Sequence, residues 1–317
     1  MGRINELLCD YLGRPEYYAD FWNGTEFSGQ ARIHSKFLIR HDREYHKSQQ
    51  KPIPLSSARR DVQMHYHDSN EFILGVEVME NTEYTMPVRI MDYDVQELQR
   101  QLKDIRSAHE EAVKKGQETW GSPGEYLYRI KSGDKLIPVH TVALYCGVED
   151  YDGVNSILDM TEYEKFPSDF KELFQNYSIK VYQLKDLNEE NYSTSLREII
   201  AVFKRCKDRA AIKKYYLENR ERFEQLDELS IDTLGILIGN NKLRMFKQEN
   251  GGLDMCKAFE DERLEGRLEG RLEGERIGEE NLRQAIKNLM KNLKLTSIQA
   301  LEVLGIPQNE WEKYKQV

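Results

Sequence analysis

The stretch DVQMHYHDSNEFILGVEVM, residues 61–79, predicts the centre of the fold. Its first seven residues alternate enough to form a β-strand, and Asp68-Ser-Asn has the composition of a turn. Glu71–Met79 then reads as a second, mostly buried strand. Asp61 stands at the start of the first strand and Glu77 near the end of the second. A hairpin of this kind can bring the two carboxylates to one edge of a sheet.

A long helix is predicted to follow the hairpin. Pro87 suits the first turn of a helix. The 4-3-4-3 spacing after it predicts one apolar face and a helix that runs to about Lys115. That face consists of Met91, Val95, Leu98, Leu102 and Ile105.

Two further strands complete the predicted sheet, at 136–146 and at 179–184. A loop is predicted at 116–124, and the order over the first 185 or so residues becomes helix, strand, strand, helix, strand, helix, strand. This order predicts a mixed α/β core with helices packed against a sheet. Amphipathic helices are predicted at 194–206 and 208–224, with a short apolar segment at 231–238. We therefore expect a core domain at 1–185, a helical region at 186–250 and a charged helical tail at 251–317.

The tail contains a repeat with a period of four: Arg-Leu-Glu-Gly begins at Arg263, Arg267 and Arg271, and Glu275-Arg-Ile-Gly follows. Each glycine costs a helix about 1 kcal/mol relative to alanine. The repeat is therefore either a charged helical spacer or a self-association helix whose glycine stripe packs on a partner. The segment from Leu289 to Trp311 predicts a small helical cap.

Composition excludes several classes of protein. The chain has 317 residues, 46 basic and 55 acidic, with a net charge of -9. No apolar run reaches the roughly 18 residues of a membrane helix, and the N-terminus lacks the apolar stretch of a signal peptide. The four cysteines are widely spaced, which argues against a zinc ribbon or a disulfide framework and favours reduced thiols in a cytoplasm.

DNA contact is predicted to depend on one local basic patch, because the net charge of the chain is negative. Between Gln30 and Asp61 stand eight basic and three acidic residues, 8 − 3 = +5, together with three histidines. A stretch of this composition is more often an ordinary solvated loop.

Asp61 and Glu77 are the strongest candidates for chemistry. Mg²⁺ prefers a few carboxylate oxygens and several waters, and a bound ion of this kind polarises a phosphodiester and acidifies an attacking water. Acidic residues at strand ends are more often solvated turn residues. A second candidate is a transition-metal site made by His65 and His67, which share one face of a strand, with His140. No sequence feature ties His140 to the other two histidines.

At this point the chain resembles a family. The matching run is Gly75-Val-Glu77-Val-Met79, then Thr85-Met86-Pro87-Val-Arg89-Ile-Met91-Asp-Tyr93-Asp94 and Gln101, and its most specific part is the stretch from Met86-Pro87-Val-Arg89 to Tyr93-Asp94. These residues look like the bacterial Rpn-type recombination-promoting nucleases, also described as transposases, of the PD-(D/E)XK nuclease superfamily. Weaker matches extend over nearly the whole chain, at 19–23, 60–62, 135–153 and 289–307.

The resemblance implies a restriction-endonuclease-like sheet and DNA cleavage with Mg²⁺ or Mn²⁺. It places Asp61, Glu77 and the backbone carbonyl of Val78 at the metal, with Asp20 as an accessory carboxylate. Arg89 would hold a phosphate, and it shares a helix face with Tyr93. Gln101 would lie further along the same helix.

One departure from the family pattern concerns catalysis. The family has Gln, and the superfamily Lys, where this chain has Met79. A thioether donates no hydrogen bond and accepts only weakly, so it cannot orient an attacking water. The loss of one positioned polar group costs about 10²–10³ in rate. Two hypotheses follow: a metal-dependent DNA endonuclease impaired by Met79, or an inactive nuclease fold that binds DNA or protein.

Overall fold

The computed structural model describes residues 3–40, 61–237, 239, 243–246, 253 and 255–314. The chain divides into two compact units, Met1–Asp254 and Met255–Val317. Most of the basic patch predicted between Gln30 and Asp61 falls at 41–60, outside the described residues. Among the helices in the described ranges, none is long and apolar enough to cross a membrane.

A five-stranded mixed sheet forms the centre of the first unit. Its strands follow the order β1-β2-β3-β4-β5. β1 and β2 are antiparallel, as are β2 and β3, whereas β4 runs parallel to both β3 and β5. The prediction of a mixed α/β fold is confirmed. The strands are β1 (Leu38–Arg40), β2 (Val62–His67), β3 (Glu71–Met79), β4 (Val139–Tyr145) and β5 (Lys180–Gln183).

The β2–β3 hairpin forms as its sequence predicts. Its register pairs His67 with Glu71 across the three-residue turn and Val62 with Val76 at the far end. One further step along this register brings Asp61 beside Glu77. The hairpin thus fixes which residues of β2 and β3 share a face, because side chains alternate along a strand.

Helix α3 (Met86–Lys114) connects β3 to the parallel strand β4 and confirms the predicted long helix. Its buried face, however, differs from the prediction. Met91 and Val95 are exposed, whereas Ile90, Tyr93 and Glu97 are buried, as is Gln101 one turn further. The apolar periodicity failed here because polar side chains of α3 find partners on the sheet and are buried instead.

The opposite face of the sheet is covered by the N-terminal helices α1 (Arg3–Leu12) and α2 (Pro15–Phe27). Their aromatic side chains are among the most completely buried in the chain, including Tyr11, Tyr18 and Trp22. α1 also packs on a later helix, α9. The remaining helices of this unit are α4 (Pro123–Tyr128), α5 (Ser168–Lys171), α6 (Leu196–Lys204), α7 (Arg209–Glu218), α8 (Arg220–Phe223) and α9 (Glu228–Leu237).

The predicted order differs from the structure in four places. Two helices, α1 and α2, stand where one was predicted, and α4 begins within the predicted loop at 116–124. A short strand, β1, precedes the hairpin, and the helix expected between β4 and β5 is replaced by 3₁₀ turns and the four-residue α5. Pro167 directly precedes α5. The aromatic rings in this connection pack on one another, with Phe166 stacked on Phe174, rather than forming a helical stripe.

The second unit is helical. It contains α10 (Met255–Leu293), α11 (Ser297–Val303) and a 3₁₀ helix at Gln308–Lys313. Thr296 caps α11 through a reciprocal capping box with Gln299. Ile286, Ala300, Leu301 and Tyr314 form the small apolar core of this unit.

The repeat lies on α10. The helix is 39 residues long, and Leu268, Leu272 and Ile277 are about half exposed. A Cβ added at Gly270, Gly274 or Gly278 would meet nothing within 4 Å. Ion pairs such as Arg271–Glu275, at 3.2 Å and four residues apart, stabilise the exposed helix.

The far end of α3 carries a charged network whose contribution to stability depends on pH. His109 Nδ1 lies 2.9 Å from Glu118 and its Nε2 3.0 Å from Asp134. The hydrogen bond to Glu118 and the one to Asp134 raise the pKa of His109. Lys131, and then His109, lower the pKa of Glu118.

A raised histidine pKa in the folded state stabilises the fold below its ordinary value of about 6.5, and this contribution is lost as pH rises through the raised pKa. The carboxylates with lowered pKa values stabilise the fold at higher pH, and this contribution is lost as pH falls through their pKa values in the folded state. We therefore expect His109→Gln to lower the urea midpoint most near about pH 6 and least above about pH 8. Lys103→Gln, on an exposed site of the same helix, is the control. An equal loss at both pH values would contradict the expectation.

Candidate functional site

The hairpin register brings Asp61 and Glu77 together in the protein interior. Asp61 is 3% exposed and Glu77 is fully buried. The backbone N–H of Asp61 donates to Glu77 Oε1 at 3.2 Å, and Asp61 Oδ2 accepts from the N–H of Val78 at 2.9 Å. Each carboxylate is thus bonded to the backbone of the other strand. The two acids that the sequence analysis selected do converge.

The first turns of α3 place the charged side chain of Arg89 beside Glu77. Arg89 Nη2 lies 2.9 Å from Glu77 Oε2, and Arg89 Nη1 lies 2.7 Å from Glu83 Oε2. Arg89 Nε donates to the Tyr93 hydroxyl at 3.0 Å. Arg89 and Tyr93 therefore share a helix face that points at Glu77, as the sequence analysis expected. Glu83 was not anticipated, because it lies in the connection before α3.

The charges of this cluster shift the pKa values of its members. Partial burial alone would lower the pKa of Arg89, but the charge of Glu77 and the hydrogen bond to Tyr93 outweigh it and raise that pKa. Burial, and then the charge of Glu77, raise the pKa of the Tyr93 phenol. Near neutral pH the cluster thus holds a guanidinium and an un-ionised phenol beside the buried acid.

Met79 shares the face of Glu77 but lies in an apolar environment. It is 3% exposed and belongs to a cluster that includes Met86, Ile90 and Tyr145. The Met79 side chain therefore packs under the start of α3. Its position explains why a thioether is stable here.

The Gln101 side chain forms hydrogen bonds with the backbone of Ile137. Its Nε2 donates to the carbonyl of Ile137 at 3.2 Å, and its Oε1 accepts from the Ile137 N–H at 2.7 Å. The same amide contacts Glu97, which also accepts from Gln63 on β2 at 3.3 Å. Gln101 therefore holds the segment that leads into β4.

Val78 and Asp20, the other two predicted metal ligands, differ in position. The Val78 peptide lies next to the Asp61 carboxylate, because its N–H donates to that group. Asp20 lies on α2, where its Oδ1 accepts from the Ser193 N–H and hydroxyl and its Oδ2 from the Thr194 N–H and hydroxyl. These bonds, 2.7–2.9 Å long, anchor the chain before α6 to Asp20.

His140 does not join His65 and His67. It pairs with Leu74 in the sheet, and its ring lies 5.5 Å from that of Trp22 on α2. Its Nε2 lies 3.5 Å from Glu26. Side chains alternate along β2, so His65 lies on the opposite face of the sheet from His140, the face that carries Asp61. The three-histidine arrangement is therefore wrong.

Three basic residues of the predicted DNA patch lie in the described part of the chain. Arg32 and Lys36 are exposed, and Lys36 lies 4.7 Å from the centre of the Phe37 ring. Arg40 Nη1 donates to the carbonyl of Gly13 at 3.4 Å. The patch as a whole stays a prediction.

The donor set at the carboxylate pair fits a hard divalent cation. Asp61 and Glu77 supply oxygen ligands of the kind that Mg²⁺ and Mn²⁺ prefer, and the Val78 peptide lies beside them. Arg89 bonds Glu77 Oε2, so a cation would share Glu77 with a guanidinium. A cation bound here would polarise a phosphodiester and lower the pKa of a bound water.

Comparison of the chain with protein-family models, with curated proteins and with solved structures found no match.

Proposed function

We propose that this protein is a metal-dependent DNA endonuclease with a restriction-endonuclease-like core. The observation that carries the proposal is the convergence of Asp61, Glu77, Arg89 and Tyr93 at one end of the β2–β3 hairpin. Two carboxylates with a neighbouring cation are the groups that phosphodiester hydrolysis needs, since a metal and a guanidinium both stabilise developing charge on a phosphate. The family resemblance in the sequence supports the same activity.

Each residue has a role in this proposal. Asp61, Glu77 and the Val78 carbonyl would hold Mg²⁺ or Mn²⁺. Arg89 would bind a phosphate oxygen through Nη1, in place of Glu83, and Tyr93 would keep the guanidinium in place through its hydroxyl. Asp20 and Gln101 are omitted from the chemistry, because their contacts are structural. The enzyme would act on DNA in the cytoplasm, during recombination or the movement of mobile elements. The basic patch at 30–61 would contact the DNA.

Cleavage should depend on Asp61. Asp61→Asn keeps an oxygen that can accept from the Val78 N–H, so the fold should be retained while a metal ligand loses its charge. We expect nicking of supercoiled plasmid with Mg²⁺ or Mn²⁺ to fall by about 10²-fold or more. Asp92→Asn, at an exposed acid of α3, should leave the rate unchanged. Equal nicking by wild type and Asp61→Asn would contradict the proposal.

A second function is favoured by the position of Met79. A side chain packed against Met86 and Ile90 cannot position a water, so the same fold can serve as a binding module without cleavage. In this alternative the basic patch would still bind DNA, and Arg89 would remain paired with Glu77. The two functions differ in whether a polar side chain at position 79 changes the rate.

Met79→Gln separates the two functions. Burial of an amide in an apolar cluster should lower the free energy of unfolding by about 1–3 kcal/mol, measured by urea denaturation. An impaired nuclease should cut plasmid faster with this variant, at a temperature where both forms remain folded. Met79→Leu is the control for packing and should not gain activity. If neither wild type nor Met79→Gln cuts plasmid, the binding module is favoured.

We also propose that α10 mediates self-association. Leu268, Leu272 and Ile277 are about half exposed on a helix whose glycines leave room for a close partner. Leu272→Glu should shift the protein toward monomer in sedimentation velocity, whereas Glu280→Gln should not. A wild type that stays monomeric over the whole accessible concentration range would instead make the repeat a charged spacer.

A further inference from the structure

The closed end of the β2–β3 hairpin brings together three side chains that can ligate a metal. They are His65 and His67 on β2 and Glu71 at the start of β3, and one ligand atom from each lies within 4.8 Å of the others. His65 is buried, His67 is partly exposed and Glu71 is exposed. The group therefore opens to solvent on one side.

The two imidazoles approach each other more closely than the strand requires. Residues two apart on a strand are separated by about 6.6–7 Å along it. The ring centres of His65 and His67 are only 3.6 Å apart, with 38° between the ring planes. Their nitrogens are thus concentrated in one small volume.

The hairpin register supplies the third ligand. His67 and Glu71 are direct cross-strand partners on either side of the turn, and His67 Nδ1 lies 3.2 Å from Glu71 Oε1. Tetrahedral Zn²⁺ with ligands at about 2.0–2.2 Å places neighbouring ligand atoms roughly 3.3–3.6 Å apart. The His67–Glu71 distance is therefore close to one edge of such a tetrahedron, and the three ligand atoms all lie within 4.8 Å of one another.

We propose that His65, His67 and Glu71 form a binding site for a divalent transition metal, with Zn²⁺ as the best fit. Two imidazoles and one carboxylate suit Zn²⁺, which takes nitrogen and oxygen ligands, whereas Mg²⁺ requires near-octahedral oxygen ligation. Three protein ligands leave a fourth position for water. The site clamps the hairpin turn and is independent of the proposed nuclease function.

The site is separate from the carboxylate pair. His65 follows Asp61 by four positions on β2, which is about 13 Å along the strand. The pair of acids would take a hard cation, and the hairpin site would take a softer one. Loss of either should leave metal binding by the other intact.

The test uses Co²⁺ as a spectroscopic probe and Zn²⁺ as a competitor, on the full chain freed of metal with a chelator. We expect one equivalent of Co²⁺ to give the visible absorption of a low-symmetry, four-coordinate site, and Zn²⁺ to abolish it. His67→Ala and Glu71→Gln should each weaken binding by at least about tenfold, since even partners outside the ligand shell contribute that much. Both residues are partly or fully exposed, and far-UV circular dichroism checks that the variants fold.

Two matched controls keep the site identifiable. His140→Ala removes a half-exposed histidine from the opposite face of the sheet, and Asp92→Asn alters an exposed acid of α3; neither should change Co²⁺ affinity. The proposal is overturned if His67→Ala binds as tightly as wild type, or if His140→Ala weakens binding equally. It is also overturned if no stoichiometric site is found, in which case His67 and Glu71 form only an ion pair across the turn.

Discussion

The buried ion pair between Glu77 and Arg89 is the constraint on which the sheet end depends. Glu77 is fully buried, and an isolated carboxylate cannot be stable there without hydrogen bonds and a counter-charge. Arg89 supplies the charge from α3, and the Asp61 N–H supplies a hydrogen bond from β2. The position of the first turns of α3 over β3 is therefore determined by charge as well as by the apolar contacts of Met79 and Ile90. Removal of one partner of such a pair is far more costly than its formation is favourable.

The same principle, buried polar groups satisfied by distant segments, organises the rest of the first unit. Asp20 on α2 accepts four hydrogen bonds of 2.7–2.9 Å from Ser193 and Thr194 and so connects the N-terminal helices to the chain before α6. Asp94 on α3 accepts from Thr141 on β4 at 2.7 Å and from Tyr177. Each of these acids could be mistaken in the sequence for a solvated surface residue or a metal ligand. Their partners show that they connect separate segments of the first unit.

The sequence predicted the features that depend on local pattern. The hairpin and α3 were predicted because period-two alternation, turn residues and a helix-favouring proline are adjacent in the chain. The meeting of Asp61 and Glu77 follows from the same hairpin, since antiparallel pairing sets the register. Glu71 could also have been found in this way, because a three-residue turn places it opposite His67.

The features that depend on distant segments were not predictable from local pattern. The buried face of α3 was wrong because Glu97 and Gln101 bond to Gln63 and Ile137, which lie 34 and 36 residues away. His140 was grouped with His65 because both are histidines near a strand, yet strand alternation and the parallel register place them on opposite faces. Asp20 resembled an accessory ligand until its partners, more than 170 residues away, were known.

Polar attachments spread along α3 give this helix a fixed axial position. Arg89 bonds Glu77 near the end of β3, and Gln101 bonds both backbone groups of Ile137 shortly before β4 begins. Twelve residues of helix separate them, about 18 Å at 1.5 Å per residue, which is close to the length of the seven-residue strand beneath. A slip of α3 by one turn would break these attachments together, whereas release of Arg89 alone leaves those of Asp94, Glu97 and Gln101 in place. Movement at the carboxylate pair is therefore channelled into a swing of the start of α3 and not into sliding along the sheet.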